Sequence, residues 1–141
     1  MKYLALGPGA MGIFSILGAV YHLKDELKNV QEIAGASAGS LIGLFLSLDK
    51  DIDEIVRFLF ECDISQFYNL KLKNFITKYG FIDIFEIKKL LKNFLKVDPA
   101  FKDLPKKFYV SVYNVNYERT EYFSVDTHPD MSVFDAVCIS M

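Results

Sequence analysis

The residues best suited to chemistry lie in a short run of small side chains around one serine. Gly35-Ala36-Ser37-Ala38-Gly39 fits the pattern G-x-S-x-G, in which a nucleophilic serine occupies a sharp turn between a strand and a helix. Backbone bent that tightly excludes bulky neighbours, and two glycines and two alanines flank the serine here. The pattern therefore predicts a nucleophile elbow with Ser37 as the attacking group. The alternative is a close-packed turn with no chemical role.

A second candidate is the glycine-rich loop from Gly7 to Gly12, which fits G-x-G-x-x-G. It follows a predicted strand and opens a predicted helix, so its amides could bind the pyrophosphate of a dinucleotide. That use needs an acidic residue at the end of the second strand, whereas Glu32 comes before that point. The other use is an oxyanion hole, because backbone amides of this loop can stabilise the charge formed when a serine on the next strand attacks a carbonyl.

Hydrophobic periodicity predicts the elements that hold the two loops. The first strand is expected over 2–6 and the second over 30–34, with one apolar helix over 10–27 between them. An uncharged, fully buried helix should follow the elbow over 41–48. The remaining expected elements are, in chain order, a helix over 52–62, an aromatic segment over 64–79, a helix over 84–96 begun by a capping box of Asp83 and Glu86, a hairpin of strands 108–115 and 121–125, and a last helix capped by Ser132 and Asp135.

Composition limits the function classes. With 141 residues and 52% hydrophobic side chains, the chain is expected to form a single globular domain over 1–141, and disorder is excluded. A net charge of −2 gives no nucleic-acid signature. Cys62 and Cys138 stand alone, without metal-ligand spacing, which favours buried thiols in a reducing compartment. We therefore expect no metal ion, no cofactor and no nucleic-acid partner.

Two segments bear on membrane contact. Residues 3–23 carry no Lys, Arg, Asp or Glu, but Gly7-Pro8-Gly9 would break a spanning helix and Lys2 is the only basic residue before them. We expect neither a signal peptide nor a transmembrane segment, and a location in the cytoplasm or at the periphery of a membrane. The segment from Lys71 to Lys107 holds ten lysines and four acidic residues. It is either an ordinary solvated face or a surface that contacts an anionic membrane.

The two loops together resemble the patatin-like phospholipase family. That family has a strand, a G-G-G-x-[R/K]-G loop with its helix, a short strand, G-x-S-x-G and a second helix. The resemblance is strongest over residues 2–48 and continues loosely to 108–112 and to 135–140, which is similar to the family's small-residue helix before its catalytic aspartate. It implies a three-layer α/β/α fold with a mainly parallel central sheet, of which this chain is the N-terminal part.

What the resemblance implies for chemistry is a serine–aspartate dyad that hydrolyses acyl esters of lipids or phospholipids. Ser37 would attack, and the glycine loop would form the oxyanion hole. The residues implied for that hole are Gly7, Gly9, Ala10 and Gly12, with the amides of the last three as donors. An aspartate would serve as the base. The alternative from another class is a non-catalytic lipid- or membrane-binding module.

The chain departs from the family pattern at three points. Pro8 replaces a glycine and offers no N–H, and Met11 replaces the usual arginine or lysine. No D-G pair occurs in the 141 residues, so the catalytic aspartate is expected after Met141 and these residues alone are expected to lack the base for Ser37. Asp126 and His128 follow in the order of a serine hydrolase triad, but their spacing favours an ordinary turn.

Overall fold

The computed structural model describes residues 1–61 and 84–141, and only the backbone of residues 84–86. In these residues, four strands form one sheet in the order β1-β2-β3-β4. β1 pairs with β2, and β2 with β3, in parallel, whereas β3 and β4 form an antiparallel hairpin. This arrangement confirms the expected α/β class with a mainly parallel sheet. The strands are β1 (Tyr3–Leu6), β2 (Glu32–Ala36), β3 (Lys107–Asn114) and β4 (Arg119–Phe123).

Helices connect the parallel strands and close the described chain. They are, in order, α1 (Ile13–His22), α2 (Lys24–Leu27), α3 (Ala38–Ser47), α4 (Ile52–Glu61), α5 (Ile84–Leu95) and α6 (Val133–Ser140), with short 3-10 turns at Ala10–Gly12 and Phe101–Asp103. Ser132 caps α6 by accepting a hydrogen bond from the amide of Asp135, as the sequence predicts. The expected segment over 64–79, the residue Cys62 and the capping box of Asp83 and Glu86 lie outside what the structure describes.

Two boundaries near the first loop differ from expectation. The helix expected over 10–27 is divided, because Leu23 leaves the helical conformation with φ −94° and ψ 15° between α1 and α2. The second strand begins two residues later than expected, at Glu32. The amide of Val30 donates to the carbonyl of Leu27 and closes the turn after α2, so this amide makes no hydrogen bond to a neighbouring strand. Both differences reflect local backbone geometry that hydrophobic periodicity does not report.

The core lies between one face of the sheet and the helices packed on it. Side chains alternate along the strands, so Ile33, Phe108 and Val110 are buried, whereas Ala34 and Tyr109 on the opposite face are only half-buried. α3 packs on β1, β2 and β3, and α6 contacts both β3 and α3. Apart from Leu41, every residue of α3 is buried, which confirms the expected central helix. This helix starts directly after Ser37, so the core fixes the position of the elbow.

A glycine in α3 permits its close approach to the sheet. A Cβ atom on Gly43 would lie 2.7 Å from Cε2 of Phe108 and 3.3 Å from Cγ2 of Ile33. We expect Gly43→Ala to lower the free energy of unfolding by about 1–3 kcal/mol, the usual cost of overpacking a core. Denaturant unfolding measures it. Gly18→Ala is the matched control, since its Cβ would meet nothing within 4 Å on an exposed face of α1 and should stabilise by about 0.5–1 kcal/mol. Equal effects of the two changes would contradict this packing.

Candidate active site

Ser37 occupies a strained turn between β2 and α3. Its φ is 51° and its ψ −123°, a conformation that costs a residue with a side chain about 1–3 kcal/mol. The carbonyl of Ser37 holds the turn. It accepts hydrogen bonds from the amides of Ser40 and Leu41 at 2.8 and 3.2 Å and from the hydroxyl of Ser40 at 2.6 Å. Such a turn aims the serine side chain away from both the strand and the helix, as a nucleophile elbow does.

The two glycines of the elbow are required by close backbone contacts. A Cβ on Gly35 would lie 2.6 Å from Cα of Ser40, so only glycine lets β2 pass the first turn of α3. A Cβ on Gly39 would overlap the carbonyl oxygen of Leu6 and lie 2.5 Å from that of Gly7. The elbow therefore touches the end of β1. This contact brings the glycine loop directly beside Ser37.

The glycine loop folds into a tight 3-10 turn with open amides at its start. The amide of Gly12 donates to the carbonyl of Gly9 at 2.5 Å and closes the turn. Ala10 has a positive φ of 42°. The amides of Gly9 and Ala10 have no acceptor within residues 1–61 and 84–141, as is usual for the first N–H groups of a helix. Met11, at the position where the resemblance leads one to look for a basic residue, is 56% exposed.

Ser140, near the end of α6, contacts the elbow. Its hydroxyl accepts a hydrogen bond from the backbone amide of Ser37 at 2.8 Å and donates to the carbonyl of Ser111 on β3 at 2.7 Å. Sequence reasoning missed this residue. The only available signal was the likeness of 135–140 to a small-residue helix, and that likeness assigns no task to the hydroxyl.

The candidate bases of the described chain lie away from Ser37. The hydroxyl of Ser37 makes no hydrogen bond to a carboxylate or imidazole in the parts that the structure describes. Asp126 pairs with Lys107 at 2.7 Å. Lys107 lies opposite Glu32 in the sheet, and Glu32 is four residues, or about 13 Å along β2, before Ala36, the residue that precedes Ser37. Asp126 also raises the pKa of Lys107 through their hydrogen bond. His128 packs against the ring of Phe123. The turn interpretation of Asp126 and His128 therefore agrees with their positions.

Cys138 lies two residues before Ser140, but its thiol is a poor nucleophile. Burial raises the pKa of Cys138 to about 11. A thiol with that pKa stays almost fully protonated near neutral pH, and the thiolate is the reactive form. Ser37 therefore remains the candidate nucleophile at this edge of the sheet.

Comparison with known proteins shows to which family the chain belongs. The family model for patatin-like phospholipases matches residues 4–141. The chain belongs to the patatin-like phospholipase family. Its relatives include an uncharacterized protein of Acanthamoeba polyphaga mimivirus, 27% identical, and a probable lipid hydrolase of Invertebrate iridescent virus 6, 26% identical. These alignments cover 100% and 99% of this chain but 51% and 52% of the relatives, so the chain spans about half the length of the curated relatives it matches.

The fold is shared with a solved protein of low sequence identity. The crystal structure of the type III effector ExoU, from Pseudomonas aeruginosa, superposes on the chain with a TM-score of 0.71 at 17% identity. The match covers 99% of this chain and 38% of ExoU. At this identity the likeness supports the patatin-like fold alone.

Most lysines of the segment from Lys71 to Lys107 that the structure describes form ion pairs with aspartates. Lys102, Lys106 and Lys107 contact aspartates outside the segment at 2.6–2.7 Å. Lys88 donates to Asp135, and this hydrogen bond raises the pKa of Lys88. Lys89 and Lys92 on α5, and Lys96 directly after it, remain exposed. Within residues 1–61 and 84–141, no helix is both long and apolar enough to cross a membrane.

A cleft of about 580 Å³ lies at the opposite end of the strands of the patatin-like sheet from Ser37. It is lined by charged pairs, among them Lys106 with Asp49 and Lys28 with Asp25. Lys106, which directly precedes β3, and Leu46 near the end of α3 border it, so it lies at the amino ends of the parallel strands. Sites of parallel α/β sheets lie at the carboxyl ends, and charged walls do not suit an acyl chain. The edge that carries Ser37 is the better candidate.

Proposed function

We propose that the protein hydrolyses acyl esters of lipids through an acyl-enzyme on Ser37. The hydroxyl oxygen of Ser37 attacks the ester carbonyl, its proton passes to a base, and the alcohol leaves. Water then cleaves the acyl-serine, which releases the fatty acid and restores the hydroxyl. The observation that carries the proposal is the contact of Gly39 with the carbonyls of Leu6 and Gly7, because it sets a loop of open amides beside a serine on an elbow.

In this proposal the oxyanion hole is built from the start of the glycine loop. The amides of Gly9 and Ala10 stabilise the charge on the tetrahedral intermediate, since neither has an acceptor in the described chain. Gly7 supports them at the contact with the elbow. Gly12, whose amide donates to Gly9, closes the turn that aims them. Removing one donor of such a hole typically costs about 10²–10³ in kcat.

The base and the substrate belong to the same proposal. We infer that an aspartate of a D-G motif encoded after Met141 accepts the proton of Ser37, with residues 1–141 as the N-terminal part of the domain. The family match and the viral relative named a probable lipid hydrolase support a lipid or phospholipid substrate. Contact with an anionic membrane surface would use the exposed Lys89, Lys92 and Lys96 in and directly after α5.

A fluorophosphonate probe tests the nucleophile directly. The probe phosphonylates serine hydroxyls that are activated by a base and an oxyanion hole. We expect one adduct per chain, on the peptide that contains Ser37, in protein expressed from the full reading frame. Ser37→Ala should remove the adduct, whereas Ser47→Ala, which loses a buried hydroxyl at the other end of α3, should label like the wild type.

Different outcomes separate the alternatives. An adduct on another serine would contradict the assignment of Ser37. No adduct and no esterase activity, together with pelleting on phospholipid vesicles, would favour a non-catalytic lipid-binding module. Comparison with residues 1–141 expressed alone tests the origin of the base, because this shorter protein should label far more slowly than the full reading frame.

A further inference from the structure

The backbone on both sides of Ser37 is fixed by hydroxyl groups. The carbonyl of Ser37 belongs to the peptide group that leads into α3 and accepts the hydroxyl of Ser40 at 2.6 Å. The amide of Ser37 belongs to the preceding peptide group and donates to the hydroxyl of Ser140 at 2.8 Å. Because both peptide planes that flank Ser37 are held, the direction of its Cα–Cβ bond is held too.

The contact with Ser140 is long-range and uses both properties of a hydroxyl. Ser140 is 103 residues from Ser37 in the chain and 29 residues from Ser111. Its oxygen accepts from the elbow while its proton is donated to the carbonyl of Ser111 on β3. Alanine can do neither, whereas threonine keeps both. The bridge thus connects the elbow, α6 and the neighbouring strand through one side chain.

The bridge acts where the backbone is strained. At φ 51° and ψ −123°, Ser37 is in a region that persists only when the surroundings enforce it. Without Ser140, the amide of Ser37 would lose its acceptor in a half-buried place, and rotation of the preceding peptide group would relieve the strain. That rotation would carry the hydroxyl of Ser37 away from the glycine loop.

We propose that Ser140 is a positioning residue for the reaction at Ser37, whose hydroxyl holds the amide of Ser37 against the carbonyl of Ser111 and so keeps the nucleophile aimed. This inference rests on the proposed function of Ser37. Its effect is on the orientation of the attacking oxygen rather than on substrate binding. It should therefore lower kcat and leave KM nearly unchanged.

The test compares Ser140→Ala with Ser140→Thr in protein expressed from the full reading frame, using a soluble fatty acyl ester and the fluorophosphonate probe. We expect Ser140→Ala to lower kcat and the labelling rate about 10–100-fold, the scale of a displacement near 1 Å, with KM within about twofold. Ser140→Thr should restore both rates to within about threefold of wild type. Ser47→Ala, which removes another helix hydroxyl, should change neither rate by more than about twofold.

Amide exchange supplies a measurement that does not depend on activity. The amide of Ser37 should be protected in wild type and Ser140→Thr, and should exchange about tenfold faster or more in Ser140→Ala. Full labelling of wild type at Ser37 with an unchanged rate in Ser140→Ala would overturn this inference while the proposed function stands. No labelling of Ser37 in wild type would overturn both. Equal losses in Ser140→Ala and Ser140→Thr would also contradict a role for the hydroxyl.

Discussion

Replacing Ser37 by alanine is expected to reduce hydrolysis of a fatty acyl ester by about 10⁴–10⁶-fold. The substitution removes the only atom that can form the acyl-enzyme in this proposal. An oxyanion hole without a nucleophile can stabilise no intermediate formed by attack of the enzyme. Initial rates in protein expressed from the full reading frame, with a chromogenic ester at saturating concentration, measure this loss.

The loss should occur without unfolding. The hydroxyl of Ser37 makes no hydrogen bond to a side chain that the structure describes, so Ser37→Ala should change the free energy of unfolding by no more than about 0.5 kcal/mol. Ser37→Gly should be equally inactive but more stable than Ser37→Ala by about 1 kcal/mol, because glycine adopts φ 51° and ψ −123° without a Cβ penalty. A gain in stability together with a loss of activity identifies strain maintained for function.

Ser47→Ala is the matched control for the same experiment. It removes a buried hydroxyl from the same helix, one that donates to the carbonyl of Leu44, and should keep activity within about twofold of wild type. If Ser37→Ala kept more than a tenth of the wild-type rate, the hydrolysis would come from another group. If Ser37→Gly were no more stable than Ser37→Ala, the conclusion that the backbone at Ser37 is strained would be wrong.

The parts of the site that are determined by local sequence could be predicted. The elbow has a fixed order of small residues, and the run of uncharged residues after it indicates a buried helix, because a helix without a polar side has no face for solvent. Both expectations agree with the turn at Ser37 and the burial of α3. The mainly parallel sheet was implied by the resemblance to the patatin-like family, and the observed strands, which are joined through helical crossovers, agree with it.

What sequence could not give depends on contacts between distant segments and on backbone detail. Nothing in the spacing of Ser140 indicates that its hydroxyl reaches an amide 103 residues earlier. The pattern G-x-G-x-x-G treats its glycines alike, although the amide of Gly12 is used to close the turn and that of Gly9 is open. The lysines of the basic segment read as one charged face, whereas Lys106 and Lys107 are paired with aspartates from other elements. Each of these facts requires the register and the packing of the folded chain.

The largest structural effect is expected from a methyl group on Gly39. Its Cβ would overlap the carbonyl oxygen of Leu6 and lie 2.5 Å from that of Gly7, and both are backbone atoms that cannot rotate aside. Gly39→Ala must therefore push the end of β1 and the glycine loop away from the elbow. We expect a loss of about 3 kcal/mol or more in the free energy of unfolding, at the upper end of overpacking costs, and a fall of about 10 °C in Tm. Thermal unfolding followed by circular dichroism measures both.

The effect of Gly39→Ala on the labelling of Ser37 tests whether the glycine loop and the elbow form one active site. If the amides of Gly9 and Ala10 serve Ser37, displacement of the loop should slow fluorophosphonate labelling more than about 100-fold at temperatures where the variant remains folded. Gly18→Ala is the control, because it adds the same methyl group to the exposed face of α1 and should label like the wild type. Normal labelling of a folded but destabilised Gly39→Ala protein would show that the glycine loop plays no part in activating Ser37. The oxyanion donors would then have to come from elsewhere, with the open amides at the start of α3 as the next candidates.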